Sequence, residues 1–201
     1  MKVKLKEVRL SFPDLWVPTP FKNQPKTEMY RATFLIEPDS ANDKAIRAAI
    51  EECGTEVFKD KWEKTSKSIW GVPNKCSYLD GDTREYDGYE GVWALSAVNK
   101  ARPLVLDRVP YKTDANGKPI LRADGTKEPN ELTPADGKPY AGCYVNATVD
   151  IWVQSGEYPG IRCSLLGVQF ARDGEAFSGG QRATADDFDD LGDTGEDDDL
   201  V

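Results

Sequence analysis

The stretch Tyr144-Val145-Asn146-Ala147-Thr148-Val149-Asp150-Ile151-Trp152-Val153 alternates without a slip, with Val145, Ala147, Val149, Ile151 and Val153 on one side and Tyr144, Asn146, Thr148, Asp150 and Trp152 on the other. Period-two alternation marks a half-buried strand, so the first set predicts a core face and the second a surface. That surface is polar but bracketed by two aromatic rings, about 26 Å apart at roughly 3.3 Å per residue. Such a strand needs partners, and the chain supplies them on both sides. Ile161 to Arg172 reads as the closing strand, ended by the turn Asp173-Gly174. Before it, Ile69-Trp70, Cys76 to Leu79, Gly91 to Asn99 and Leu104 to Val109 have strand character, and another strand runs from about Met29 to Glu37.

The first segment alternates Lys2, Lys4 and Lys6 against Val3 and Leu5, then changes phase so that Val8, Leu10 and Phe12 become the apolar set. A strand changes phase through a bulge, and a bulged first strand is what a small, strongly coiled barrel requires. Pro13, Pro18, Pro20 and Pro25 then break the pattern into a loop carrying Trp16 and Phe21. One amphipathic helix is inserted: Ser40 with Asp43 forms a capping-box-like start, and Ala45, Ile46, Ala49, Ile50, Cys53 and Val57 recur at helical spacing until near Trp62. Its other face, with Asp43, Glu51, Glu52 and Glu56, is acidic and reads as solvated rather than as a place for nucleic acid. Between Asp107 and Tyr140 lies a polar excursion with three turn dipeptides, Asn116-Gly117, Asp124-Gly125 and Asp136-Gly137. It predicts a hairpin or extended loop reaching away from the core, and loops this long are often functional.

Composition bounds the function. With 39% apolar residues and five Trp, the chain can bury one core of ordinary size. The longest apolar run, Val92 to Val98, is broken by Ser96 and falls far short of a membrane span, and Met1-Lys2-Val3-Lys4 lacks the apolar block of a signal peptide, so the cytoplasm is expected. Cys53, Cys76, Cys143 and Cys163 stand singly, with no C-x-x-C pair, which reads as reduced, buried thiols. The chain has no histidine, which removes the usual general base, the Ser-His and Cys-His nucleophile pairs and the commonest transition-metal ligand. The only tempting carboxylate cluster, Asp80-Gly81-Asp82 with Asp87, lacks the spacing of a calcium loop and has Arg84 in its middle; it reads as tight turns. No catalytic residue, metal or cofactor is therefore expected, and a magnesium-dependent nuclease has no convincing site.

Charge divides the chain in two. Residues 183–201 hold nine Asp and Glu and no Lys or Arg; removing them leaves 35 − 9 = 26 acids against 26 Lys plus Arg, so the body 1–182 is neutral and the tail carries all of the net −9. A disordered polyanionic end is presented to a basic partner or to the chain's own binding surface, or else it only solubilises. Phe188, Leu191, Leu200 and Val201 place apolar anchors among the charges, which solubility does not need.

Many strands, one inserted helix and long loops bearing aromatics beside Lys and Arg give a mainly β fold, a partly open five-stranded barrel like the oligonucleotide-binding (OB) fold. Such barrels grip single strands with cations along the phosphates and flat rings under the bases. Lys2, Lys4, Lys6 and Arg31 are candidates for one face and Lys100, Arg102, Arg108 and Lys112 for a loop edge, with Trp16, Phe21, Trp93, Tyr144 and Trp152 as stacking surfaces. The competing reading puts the aromatics in the core and makes the N-terminal lysines guards of an edge strand.

The segments Tyr140-Ala-Gly-Cys-Tyr-Val-Asn-Ala-Thr-Val149, Gly160-Ile-Arg-Cys-Ser-Leu-Leu-Gly-Val-Gln169, Arg172-Asp-Gly-Glu175 and Asn99-Lys-Ala-Arg-Pro103, in that arrangement and with an acidic end, resemble the single-stranded-DNA-binding proteins of tailed bacteriophages. The likeness spans nearly the whole body. It implies an OB fold, no enzymatic activity, and a role in DNA replication, recombination and repair in the host cytoplasm. The tail, with Phe188 and the tip Asp197-Asp198-Asp199-Leu200-Val201, is then expected to compete with DNA for the groove and to dock phage or host proteins. The rival from another class is a phage structural or assembly module with a solubilising tail.

Overall fold

The computed structural model describes residues 1–20 and 27–177. Two residues in the left-handed region bend its first strand. β1 (Lys2–Thr19) shifts register between Leu5 and Val8 and again between Ser11 and Asp14, with Glu7 at φ 49° and Phe12 at φ 47°. Each shift is a bulge, and the bends let one strand serve two neighbours. Its first half pairs with β7 (Tyr144–Gln154) and its second with β2 (Met29–Ile36). The expected break at Pro13 is absent: β1 runs on to Thr19, because a proline is tolerated where a bulge or irregular pairing leaves no ladder amide to supply. Phe12, expected inside with Val8 and Leu10, is turned outward by the second bulge and is 51% exposed.

β2 pairs with β4 (Trp93–Asn99), and β7 pairs with β8 (Gly160–Arg172) along its whole length. A single parallel bridge, Val98 to Ser164, joins β4 to β8 and closes the circuit β1-β2-β4-β8-β7. This is the five-stranded OB-type barrel expected from the pattern. β3 (Tyr78–Asp80) extends the sheet beyond β4, and β5 (Leu104–Tyr111) with β6 (Pro129–Glu131) extends it beyond β8. Inside the barrel, Val145, Ala147, Val149, Ile151 and Val153 are all buried, as the alternation requires, against Leu5, Leu10, Phe34, Leu95 and Leu165.

The inserted helical segment differs in detail from the expectation. α1 (Ala41–Phe58) starts on the Ser40 cap, whose hydroxyl accepts the Asp43 amide, and stops where Lys59 turns to φ 53°. A 3-10 turn then leads into α2 (Trp62–Ile69). Ile69-Trp70 is therefore not a strand: Trp62 and Ile69, two turns apart, are the buried face of a short helix, and so sparse an apolar pattern resembles a strand fragment. Trp62 packs so tightly over Gly54 of α1 that its ring leaves no room for a Cβ there. Asp43 does not lie on the solvated face either. It is buried, accepting the Tyr78 hydroxyl at 2.9 Å and the Arg47 guanidinium at 2.6 Å. Burial opposes its charge, but these bonds and one from the Asp39 amide hold its carboxyl below the usual range. No helix among the described residues is long and apolar enough to cross a membrane.

Candidate nucleic-acid interface

Following the outward residues around the barrel gives a belt. Strand pairing sets Asp14 against Arg31, Arg31 against Val98, Val98 against Ser164, Ser164 against Asp150 and Asp150 against Lys2. Trp152, 40% exposed, leans onto this belt and donates its indole N–H to the Ser164 hydroxyl at 3.1 Å. Val98, also partly exposed, adds a flat apolar spot between Arg31 and the indole. The Arg31 guanidinium bonds to the Thr19 and Thr27 carbonyls at 3.0 and 3.3 Å, at the mouth of the loop joining β1 to β2. Two residues beyond Asp14 on β1, Trp16 lies beneath Arg102, whose guanidinium carbon is 5.5 Å from the ring centroid. Lys100 is exposed in the same turn, held by the Asn99 side chain accepting the Ala101 amide. Barrel closure thus gathers Arg31, Lys100, Arg102, Trp16 and Trp152, which are scattered in sequence, around β2, β4 and β8.

Of the other described sequence candidates, Lys2 stands at the β1 end of the belt and the rest are placed elsewhere. Lys2 and Lys4 lie on the outer face of β1 opposite Asp150 and Thr148 of β7. Lys6 is exposed, and its main chain exchanges two hydrogen bonds with the Asn42 side chain at the start of α1. Trp93 packs against Tyr78 and Trp70 with Arg47 4.6 Å from its ring, at the helical end of the barrel and off the belt. The Tyr144 ring is covered by the Arg172 guanidinium at 3.4 Å and flanked by Arg9 at 5.9 Å. Arg108 is exposed on β5, and Lys112 is engaged with Glu128 at 2.6 Å on the arm beyond it. Phe21, and Phe188, Asp197, Asp198, Asp199, Leu200 and Val201 of the tail, lie outside the described residues. Asp80 and Asp82 are turn formers: they accept the amides of Asp82 and Gly91. Sequence reasoning missed Tyr158, 68% exposed in the β7–β8 hairpin. Its signal was an aromatic residue inside the turn Gly156-Glu157-Tyr158-Pro159, where a core role has no strand to serve.

The motifs that carried the resemblance form a clasp. The Tyr140 hydroxyl bonds to Asp173 and to the Gly174 amide, and Gly142, at φ 100°, allows the Glu175 carbonyl an approach that any side chain would block. The clasp lays residues 173–177 across the barrel wall, and Phe177 seats on Leu35 and Ala94, the outer face of β2 and β4, with Arg9 4.3 Å from its ring.

A family model described as "Enterobacter phage Enc34, ssDNA-binding protein" matches residues 1–201. The chain belongs to this family. The family is a class of DNA-binding proteins, not of enzymes. A "Putative protein p50" of Acyrthosiphon pisum secondary endosymbiont phage 1 is 45% identical over 198 residues, covering 95% of this chain and 94% of the relative. Among solved structures, the single-stranded DNA-binding protein of bacteriophage Enc34 in complex with ssDNA is 26% identical with TM-score 0.60, over 87% of this chain and 88% of that one. Its C-terminally truncated form is 26% identical with TM-score 0.58, over 88% of each.

Proposed function

We propose that this protein binds single-stranded DNA without strong sequence preference in the host cytoplasm, protecting and organising it during phage replication, recombination and repair. The reading is carried by the belt itself: cations at Arg31, Lys100 and Arg102 beside rings at Trp16 and Trp152, in a family whose Enc34 relative has been solved with ssDNA. Cations neutralise phosphates and rings accept any base, so grip comes without a sequence code. Lys2 and Lys4 extend the positive surface along β1.

The body 1–182 holds the strand, and the acidic tail 183–201 acts on it. Phe177, the last of the described residues, is seated on Leu35 and Ala94, on the outer face of the two strands that also carry Arg31 and Val98. A tethered polyanion works at an effective concentration of about millimolar, enough to occupy a cationic groove until DNA displaces it. Once displaced, Phe188 and the tip Asp197 to Val201 offer apolar anchors ringed by charge to replication or recombination proteins.

Titration of labelled poly-dT over a range of salt tests both parts. The whole chain is expected to bind with a log-log salt slope of about −0.7 per phosphate contacted, and removal of residues 183–201 to tighten binding most at low salt. No oligonucleotide binding at any salt would instead make this an assembly module. Equal binding with and without the tail would end the competition.

A further inference from the structure

Two surfaces off the belt are built as opposites. The first is an aromatic ledge. Phe12 and Tyr86 are each 51% exposed and meet edge to face at 5.0 Å, resting on the buried Tyr89, whose hydroxyl bonds to Ser11. The left-handed backbone at Phe12 strains a bulky residue and would suit glycine, yet the position carries a phenyl ring turned to solvent. Around the ledge, residues 80–90 hold five carboxylates against the single cation Arg84, and Glu85 and Glu90 are exposed at its rim.

The second surface is the arm between β5 and β6. Three backbone hydrogen bonds close a ring at its base: the Lys112 amide donates to the Glu128 carbonyl, Ile120 to Lys112, and Glu128 to Ile120, at 2.8 to 2.9 Å. Two loops leave this ring, each turned by a left-handed glycine, Gly117 and Gly125. Every residue from 111 to 127 is exposed, so no described part of the chain covers the arm. Its acids are engaged at home. Asp114 accepts the Asn116 and Lys118 amides, Asp124 accepts the Thr126 amide and hydroxyl, and Glu128 pairs with Lys112. What remains for a partner is aliphatic and positive: Ile120 and Leu121, 38% and 60% exposed, beside Lys118 and Arg122.

We infer that the arm of one copy seats Ile120 and Leu121 on the Phe12–Tyr86 ledge of a second copy, with Lys118 and Arg122 against Glu85 and Glu90. Aromatic anchors inside a charged rim are the composition of a binding hot spot, and the opposite charges fix the pairing. Because the two patches differ and lie on one chain, each copy offers both an arm and a ledge, and a contact that is not exchanged reciprocally adds copies head to tail. That they add along a DNA strand rests on the function proposed above; the contact itself does not.

Sedimentation of the full chain without DNA, and titration of one-site and many-site poly-dT, test this together. The sedimentation coefficient is expected to rise with concentration, and the affinity per copy to be about tenfold higher or more on the long strand, where neighbours are held at high effective concentration. Leu121→Glu should abolish both effects while binding the one-site strand as the wild type does. The reversal Lys118→Glu with Arg122→Glu should do the same, and adding Glu85→Lys with Glu90→Lys should restore association. Association without any binding to poly-dT would sink the DNA reading and leave the contact standing. A wild type that stays monomeric and binds both strands equally overturns the contact. So does a reversal that weakens the one-site strand, which would make the arm a DNA site, or an association that disappears on removal of residues 183–201, which would make the tail the occupant.

Discussion

Trp152→Ala separates stacking from charge. A base stacked on an aromatic ring is worth about 1 to 3 kcal/mol. The indole is only 40% exposed and its N–H is held by Ser164, so part of one ring surface is offered and the lower end applies. About 1 to 2 kcal/mol corresponds to roughly a 5- to 30-fold loss of affinity for a poly-dT strand. The fold should survive, since the lost hydrogen bond is partly exposed and contributes at most about 1 kcal/mol. Because no charge is removed, the salt dependence should keep its slope while the whole line moves down. Lys100→Gln should do the reverse, leaving the rings intact and making the slope shallower by about 0.7. Fluorescence-detected titrations at five salt concentrations, with circular dichroism of each variant, decide the matter. If Trp152→Ala binds within twofold of the wild type, or if its slope changes, the indole is not a platform and the belt is wrongly drawn.

Three other outcomes are expected. Asp43→Asn should cost about 2 kcal/mol at neutral pH, since a buried, charge-assisted set of bonds from Tyr78, Arg47 and the Asp39 amide is weakened. The folded carboxyl titrates below its unfolded value, so this stability is present above about pH 4 and is lost as pH falls through the folded value; the gap in thermal midpoint between wild type and variant should close on acidification. Gly54→Ala forces a methyl into the Trp62 ring and should destabilise by about 1 to 3 kcal/mol, read by denaturant unfolding. All four cysteines are buried, and burial pushes the Cys143 thiol up to about 11; a thiol reagent at pH 8 should label none in the native protein and four after unfolding, and rapid native labelling would contradict the packing.

How much of this was legible depends on range. The β7 alternation was unambiguous because both faces are populated over eleven residues, and it placed the barrel wall correctly. The bulge in β1 was visible as a phase change, but its direction was not: that Phe12 turns outward is decided by a left-handed φ that the sequence does not mark with glycine. α2 was lost because Trp62 and Ile69 alone bury it, and two apolar residues in eight carry no period. Of the candidate site, Trp152 could be placed outward from its own strand. Trp93 and Tyr144 could not be judged, since their surroundings, Arg47 with Trp70 and Arg172 with Arg9, come from distant segments. The belt needed the β4–β8 pairing, a contact between residues sixty-six apart in the chain.

The backbone ladder of that pairing is one bridge, Val98 to Ser164, with the Asn99 side chain donating to the Leu165 carbonyl beside it, whereas every other seam of the barrel is laddered by several pairs. The least-stitched join therefore runs directly under Arg31 and Trp152, and a strand lying over it would act as a splint. Anything bound only to the closed form adds stability by mass action. Among the amides of the barrel wall, those near Val98 and Ser164 should then exchange with solvent fastest in the free protein and slow most when DNA is bound, so that the wall and its cargo hold each other shut.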